Sequence, residues 1–248
     1  MSEHNEEWEY WLIEQHDDKW EELHAPKSGI ISASIVPDIV GFGYKSRMKR
    51  WEICTGLAMN LDDNFHMQRG QLLEPKAIQR FYQKYPRFSP IGQPGPKKSK
   101  DFPWLHASLD HVFIDRVTKE FMLLEIKCPV TVPPASDEED KLDPYSYQAH
   151  LEEEIKNEKI KVKYLIQMQI QMYCMGPTMQ KGILYLYTTK EQHAIVVPRD
   201  DEIINVLLTF IFIFQSQVMK NEKPQGACYK DFKLVHLLKI LYNKLVFL

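Results

Sequence analysis

The chain has 248 residues, of which 44% are hydrophobic and 26% charged, with a formal net charge of −3. That balance suits a globular chain able to bury a sizeable core rather than a disordered one, and the net charge excludes a uniformly basic nucleic-acid coat. Any surface for a polyanion must gather its positive charge locally. In chain order, residues 6–23 carry Trp8, Trp11, Leu12, Trp20 and Leu23 among many acids, which predicts an amphipathic N-terminal helix within residues 1–25, ended by Pro26. Ile30 and Ile31 lead into Ser32-Ala33-Ser34, where Ser34 is placed to cap a short helix near Pro37. Helices are expected over residues 45–55 and 67–85. In the second of these Pro75 should interrupt an ordinary helix interior.

Lys97 to Lys100 reads as a basic loop between prolines. Strands follow at 111–114 and 121–126, with a turn at 115–119. The second strand is nearly all apolar, as a central strand covered on both faces should be. Residues 133–143 read as a surface loop and 152–163 as a charged helical stretch. A helix at 164–173 should pack on the sheet. Strands at 182–189 and 193–197 precede a long helix at 200–219, and a leucine-rich helical tail at 226–248 should dock on the body. Within the long helix, the apolar stretch 203–214 is broken by Asn205 and Thr209. It is too short to span a bilayer, so it reads as a buried helix and no membrane partner is expected. The order predicts one α/β domain with a mixed central sheet flanked by helices.

Cys54, Cys128, Cys174 and Cys228 include no C-x-x-C pair, so neither a zinc ribbon nor a disulfide framework is expected. A reducing intracellular setting follows, cytoplasm or nucleus, and the acidic N-terminus lacks a secretory signal pattern.

The chemistry centres on Ser108-Leu109-Asp110 and, after a hairpin, Leu124-Glu125-Ile126-Lys127. Glu125 and Lys127 are two apart on a strand and share one face, while Ile126 faces the core. A Glu-x-Lys pair alone is a common surface pattern. Within an apolar strand, however, two charges must be paired or bound to a metal. With Asp110 at the end of the neighbouring strand, two carboxylates converge. Oxygen ligands of this kind suit Mg²⁺, or Mn²⁺ as substitute, held by Asp110, Glu125 and the Ile126 carbonyl. Lys127 would hold or deprotonate a water, or stabilise developing charge.

The D…E-x-K arrangement resembles the core of the PD-(D/E)XK, restriction-endonuclease-like nucleases. Further motifs resemble the lambda-exonuclease and YqaJ-type viral recombinase family: Arg69-Gly70 with Glu74-Pro75, Ser108-x-Asp110, Leu124-Glu125-x-Lys127-Cys128-Pro129, and Tyr164-x-x-Gln167-x-Gln169. That resemblance implies a 5′→3′ exonuclease acting on double-stranded DNA ends to leave single strands for recombination. It also implies a homotrimeric ring around the duplex and a single-strand annealing protein as candidate partner. Glu74 would support a second metal or the water, and Gln167 would orient the water or the Lys127 amine. Gln171 lies one turn further along that helix and Gln169 off that face, with solvent exposure as the alternative for both. Ser34, Ser108 and Arg47 would bind the 5′-phosphate, with Lys27 standing where some members have arginine, a departure that weakens its claim. Other readings are a structure-specific endonuclease or RNA-cleaving nuclease of the same fold, and a non-catalytic DNA-end-binding protein.

Overall fold

The computed structural model describes Ala25 and residues 28–59, 65–128, 162–188, 191–225 and 231–248. The expected N-terminal helix, Lys27, the 133–143 loop, most of the 152–163 stretch and Cys228 lie outside the described residues.

A short strand β1 (Ile31–Ser32) leads through a 3-10 turn at Ala33–Ile35 into helix α1 (Val36–Ile39) and then α2 (Arg47–Cys54). Ser34 does not cap α1. It is exposed, and its hydroxyl pairs with that of Ser32 at 2.8 Å. The true cap in this region is Ser46, whose oxygen accepts from the Lys49 amide at the start of α2. Asp38 ties α1 to α2. Its Oδ2 accepts from Arg50 Nε at 3.0 Å and Nη2 at 2.6 Å, both side chains being buried. Only glycine fits at position 43, because a Cβ there would fall 1.8 Å from Asp38 Oδ1.

Helix α3 (Phe65–Lys84) runs straight through Pro75, contrary to the expected interruption. Gln71 and Pro75 both lie on the exposed side of the helix, where water can reach the backbone beside the missing proline N–H. Next come β2 (Phe88–Gly92), β3 (Lys97–Lys98), β4 (Leu105–Ala107), β5 (His111–Asp115) and β6 (Phe121–Lys127). Two of these strands depart from expectation. Phe88–Gly92 contains Pro90 and Gly92 and carries no strand signal, yet an edge position with a register shift tolerates both. Lys97–Lys98 is a strand rather than a loop, and Lys97 is almost fully buried.

The remaining elements are α4 (Val162–Met175), β7 (Lys181–Tyr187), β8 (Gln192–Pro198), α5 (Asp201–Met219), α6 (Phe232–Asn243) and β9 (Val246–Phe247). The last is a further correction. The tail does not stay helical to its end but adds an edge strand antiparallel to β8, where a β-branched and an aromatic residue suit an extended backbone.

Six strands form the main sheet in the order β2-β5-β6-β7-β8-β9. It is mixed: β6 and β7 are parallel and the other pairs antiparallel. A smaller sheet, β1-β4-β3, lies beside it, with β1 and β4 parallel. Alternation along β6 sends Leu123 into one core with α1, α4, α5 and α6, and Met122, Leu124 and Ile126 into a second core under α3. Strand β6 is thus buried on both faces, as its apolar run required. At Gly182 in β7 a Cβ would meet Leu123 Cγ at 2.8 Å and Met168 Cε at 2.9 Å. The glycine lets α4 lie close on the sheet.

Helix α5 is capped by Asp200, whose Oδ1 accepts from the Ile203 amide, with Asp201 and Glu202 in its first turn beside the positive end of the helix dipole. It is longer than its apolar centre suggested. By length and composition alone it could cross a membrane. One face, including Ile203, Leu207, Ile211 and Phe214, packs into the first core, as a buried helix should, whereas Phe212 and Ile213 on the other face are exposed. Helix α6 docks on the same core through Leu234, Leu237, Leu238 and Leu241. Each such leucine contributes about 1.5–3 kcal/mol by burial.

Candidate active site

The hairpin register places the site. His111 faces Leu124, so continuing the antiparallel pairing sets Asp110 opposite Glu125. The Ile126 amide donates to Asp110 Oδ2 at 2.6 Å and fixes the carboxylate there. Glu125 is 1% exposed and shares the Leu123 face of β6, toward α4. Lys127, on the same face, forms a close ion pair with Glu125 Oε1. Ile126 points the other way, into the core under α3.

Helix α4 closes the site from above. Gln167 donates its amide to Glu125 Oε1 at 2.7 Å. It therefore holds the carboxylate, where the resemblance implied a grip on the water or the Lys127 amine. Gln171 donates to Glu125 Oε2 at 2.6 Å and to the Ser108 carbonyl at 3.0 Å. Both Gln169 and Gln171 are fully buried, so neither faces solvent. Gln169 serves the fold, bonding the Pro198 carbonyl and the Asp200 amide. Tyr164, one turn before Gln167, sets its ring 5.6 Å from the Lys127 ammonium. Gln171 and Tyr164 stand outside the set of expected site residues. The helical spacing from Gln167 was the signal for Gln171, and Tyr164 lay within a quoted motif.

Burial, and then the charge of Glu125, push the Asp110 carboxyl well above its ordinary range, against the pull of Lys127. Glu74, half-buried on α3, is raised by burial and by Glu125, with Lys127 opposing. Burial would lower the Lys127 ammonium, but Glu125 and Asp110 outweigh it and hold it above its ordinary value. Lys127 is therefore held as a cation in its pair with Glu125. Arg69, the buried arginine of the R-G motif, donates from Nη1 to the Cys128 carbonyl at 2.7 Å and ties α3 to the end of β6.

Among the described residues, no three His, Cys, Asp or Glu side chains gather as a metal cluster by themselves. The fit therefore rests on Asp110, Glu125 and the Ile126 carbonyl, with Glu74 coupled electrostatically. Mg²⁺ is commonly held by one or two carboxylates plus waters. Burial and then the charge of Glu125 raise Asp110 and Glu74, and a divalent cation beside them would offset that cost, so the residues fit the ion. Cys54, Cys128 and Cys174 are free thiols.

The phosphate candidates divide. Ser34 and Ser108 both follow the parallel pair β1–β4, in which Ser32 faces His106, so they leave the small sheet at the same end. Helix α4 packs against both β4 and the Ala33–Ile35 turn. Arg47 is engaged by α5 instead: Nη2 donates to Gln217 Oε1 at 3.1 Å, and the guanidinium lies 6.0 Å from the Phe214 ring centre. Its neighbour Arg50 belongs to the buried pair with Asp38, so this basic cluster is not simply a solvated helix face.

A mixed sheet with an acid at the end of one strand, and an acid and a lysine on the next, defines the restriction-endonuclease-like nuclease fold. The chain belongs to the YqaJ-like viral recombinase domain family, whose model matches residues 19–180. Among solved structures it is similar to the alkaline exonuclease (LHK-Exo) from Laribacter hongkongensis. The two share 25% identity with a TM-score of 0.61, over 82% of this chain and 94% of that one. The same exonuclease in complex with dAMP matches at 25% identity, TM-score 0.60 and the same coverage. No curated protein matches the chain.

Proposed function

We propose that this chain is a Mg²⁺-dependent deoxyribonuclease that digests one strand of linear duplex DNA in the 5′→3′ direction, leaving single strands for recombination. Family membership and the likeness to an alkaline exonuclease support a DNA exonuclease acting in recombination. The observation that carries the reading is the meeting of Asp110 and Glu125 on one buried face, with Lys127 paired to Glu125. Asp110, Glu125 and the Ile126 carbonyl would hold the cation, with Glu74 supporting the site from α3. The cation supplies Lewis-acid stabilisation of phosphate charge and a more acidic water. Gln167 and Gln171 keep Glu125 in place. Lys127 places a fixed positive charge where negative charge develops on the phosphate oxygens. Ser34 and Ser108 offer hydroxyls to a terminal phosphate, and Arg47 and Lys27 complete the candidate set. A homotrimer enclosing the duplex would keep a chain of net charge −3 on DNA, and an annealing protein would take the product strand.

The test follows linear duplexes with 5′-phosphate, 5′-hydroxyl or blocked ends, beside a closed circle. Digestion of the 5′-phosphorylated duplex in Mg²⁺ is expected, with none in EDTA. Lys127→Ala should lose at least about 100-fold in rate, the scale of one electrostatic donor in an active site, while still binding DNA. Equal digestion in EDTA, or by Lys127→Ala, would overturn the reading. Cleavage of the closed circle would favour an endonuclease of the same fold. Sedimentation of the protein as a monomer alone would remove the ring and leave the nuclease standing.

A further inference from the structure

Gln171 is fully buried, one turn beyond Gln167. Its Nε2 faces two acceptors, Glu125 Oε2 at 2.6 Å and the Ser108 carbonyl at 3.0 Å. Two acceptors force the orientation of the amide, since only its NH₂ end can meet them. Both hydrogens are then used. Its Oε1 is buried and meets no donor among the described residues, and a buried polar atom in that condition calls for an explanation.

Lone-pair accounting at Glu125 sharpens the point. A carboxylate offers about four acceptor positions. Oε1 receives Gln167 and Lys127, and Oε2 receives Gln171. One position is left, and it is on Oε2. Ser108, the other group on the Gln171 amide, lies two residues before Asp110.

We propose that Gln171 is a positioning residue that aims the remaining lone pair of Glu125 Oε2 at the divalent cation and sets the Ser108–Asp110 segment at a fixed distance from it. This rests on the nuclease reading given above. One amide thereby joins the two carboxylate ligands and the serine facing the DNA end. A role in packing alone predicts something different, and Gln169 supplies the comparison. It is equally buried on the same helix, yet its partners are the Pro198 carbonyl and the Asp200 amide.

The experiment measures binding of Mn²⁺ alone to the full-length, DNA-free protein by titration calorimetry. Beside it, the Mg²⁺ concentration for half-maximal digestion is measured. The variants are Gln171→Leu, Gln171→Asn and Gln169→Leu, each with a melting temperature. Both Gln171 variants are expected to weaken Mn²⁺ binding and raise the Mg²⁺ requirement about 10–100-fold, the usual range when a group supporting a metal ligand is lost. Gln169→Leu is expected to lower the melting temperature and leave Mn²⁺ binding unchanged. Unchanged Mn²⁺ binding in a folded Gln171 variant overturns the proposal, as does equal weakening in Gln169→Leu. Failure of both Gln171 variants to fold makes the residue structural and overturns it too. Lys127→Ala run alongside separates the two claims. Digestion lost there, with Gln171 variants behaving as wild type, sinks this inference alone, whereas digestion retained there sinks the nuclease reading itself.

Discussion

Glu125 is a buried carboxylate with a hydrogen-bond donor on three sides, and each donor comes from a residue type that a sequence displays openly. The Glu-x-Lys spacing exposed Lys127, and the polar residues of an otherwise apolar helix exposed the glutamines. What the sequence could not show is which glutamine reaches which atom. That depends on how close α4 lies to β6, a tertiary quantity. The same limit separated Arg47 from the serines, since a run of cations does not tell which helix each one meets. A second buried carboxylate permits a prediction about acid. Burial would raise Asp115, but the Arg87 guanidinium and the Val117 and Thr118 amides outweigh it and hold the carboxyl below its usual range. A depressed acid stabilises the fold above its unfolded pKa of about 3.9 and loses that contribution as pH falls through the folded value. Asp115→Asn should therefore cost about 1–2 kcal/mol at pH 7, the low side for charged hydrogen bonds because Arg87 is half in water. The gap from wild type should close below about pH 4. Urea unfolding of both proteins from pH 7 to 3 measures it, and a constant gap would show that the pair is not the cause.

Elements with a strong period were legible, and those with mixed signals were not. Strand β6 and helices α2, α4 and α5 follow directly from apolar runs and caps. The missed strands, β1, β2, β3 and β9, are short or at an edge, and their residues read as loop or helix until a neighbouring strand supplies hydrogen bonds. Proline misled at Pro75, which, like Pro90 in β2, occupies an exposed position where a lost N–H does little harm. Packing of α4 on the sheet makes a sharper claim. A methyl at Gly182 would press on Leu123 and Met168 and lift the helix that carries Gln167 and Gln171. Gly182→Ala should cost about 1–3 kcal/mol, the usual penalty for overpacking. Digestion should fall further than the folded fraction does when both are measured well below the melting temperature. Activity in proportion to folded protein would show that the site tolerates the shift.

At the scale of the whole molecule, the parallel neighbours β6 and β7 are joined by a crossover that contains α4, and β1 reaches across the chain to β4. The groups around Glu125 accordingly come from distant points: Asp110 meets Ile126 across 16 residues, Gln167 meets Glu125 across 42, and Gln171 meets Ser108 across 63. Contacts of such span carry a loop-closure cost and form slowly, whereas a helical turn closes in about a microsecond or less. Time is thus ordered by topology. On dilution from denaturant, the helical circular-dichroism signal should return first and cleavage of a linear duplex last, with a lag between them. Until the crossover has closed, a chain with most of its helices in place would still be unable to cut, so during synthesis the chain acquires its chemistry only once β7 has joined the sheet.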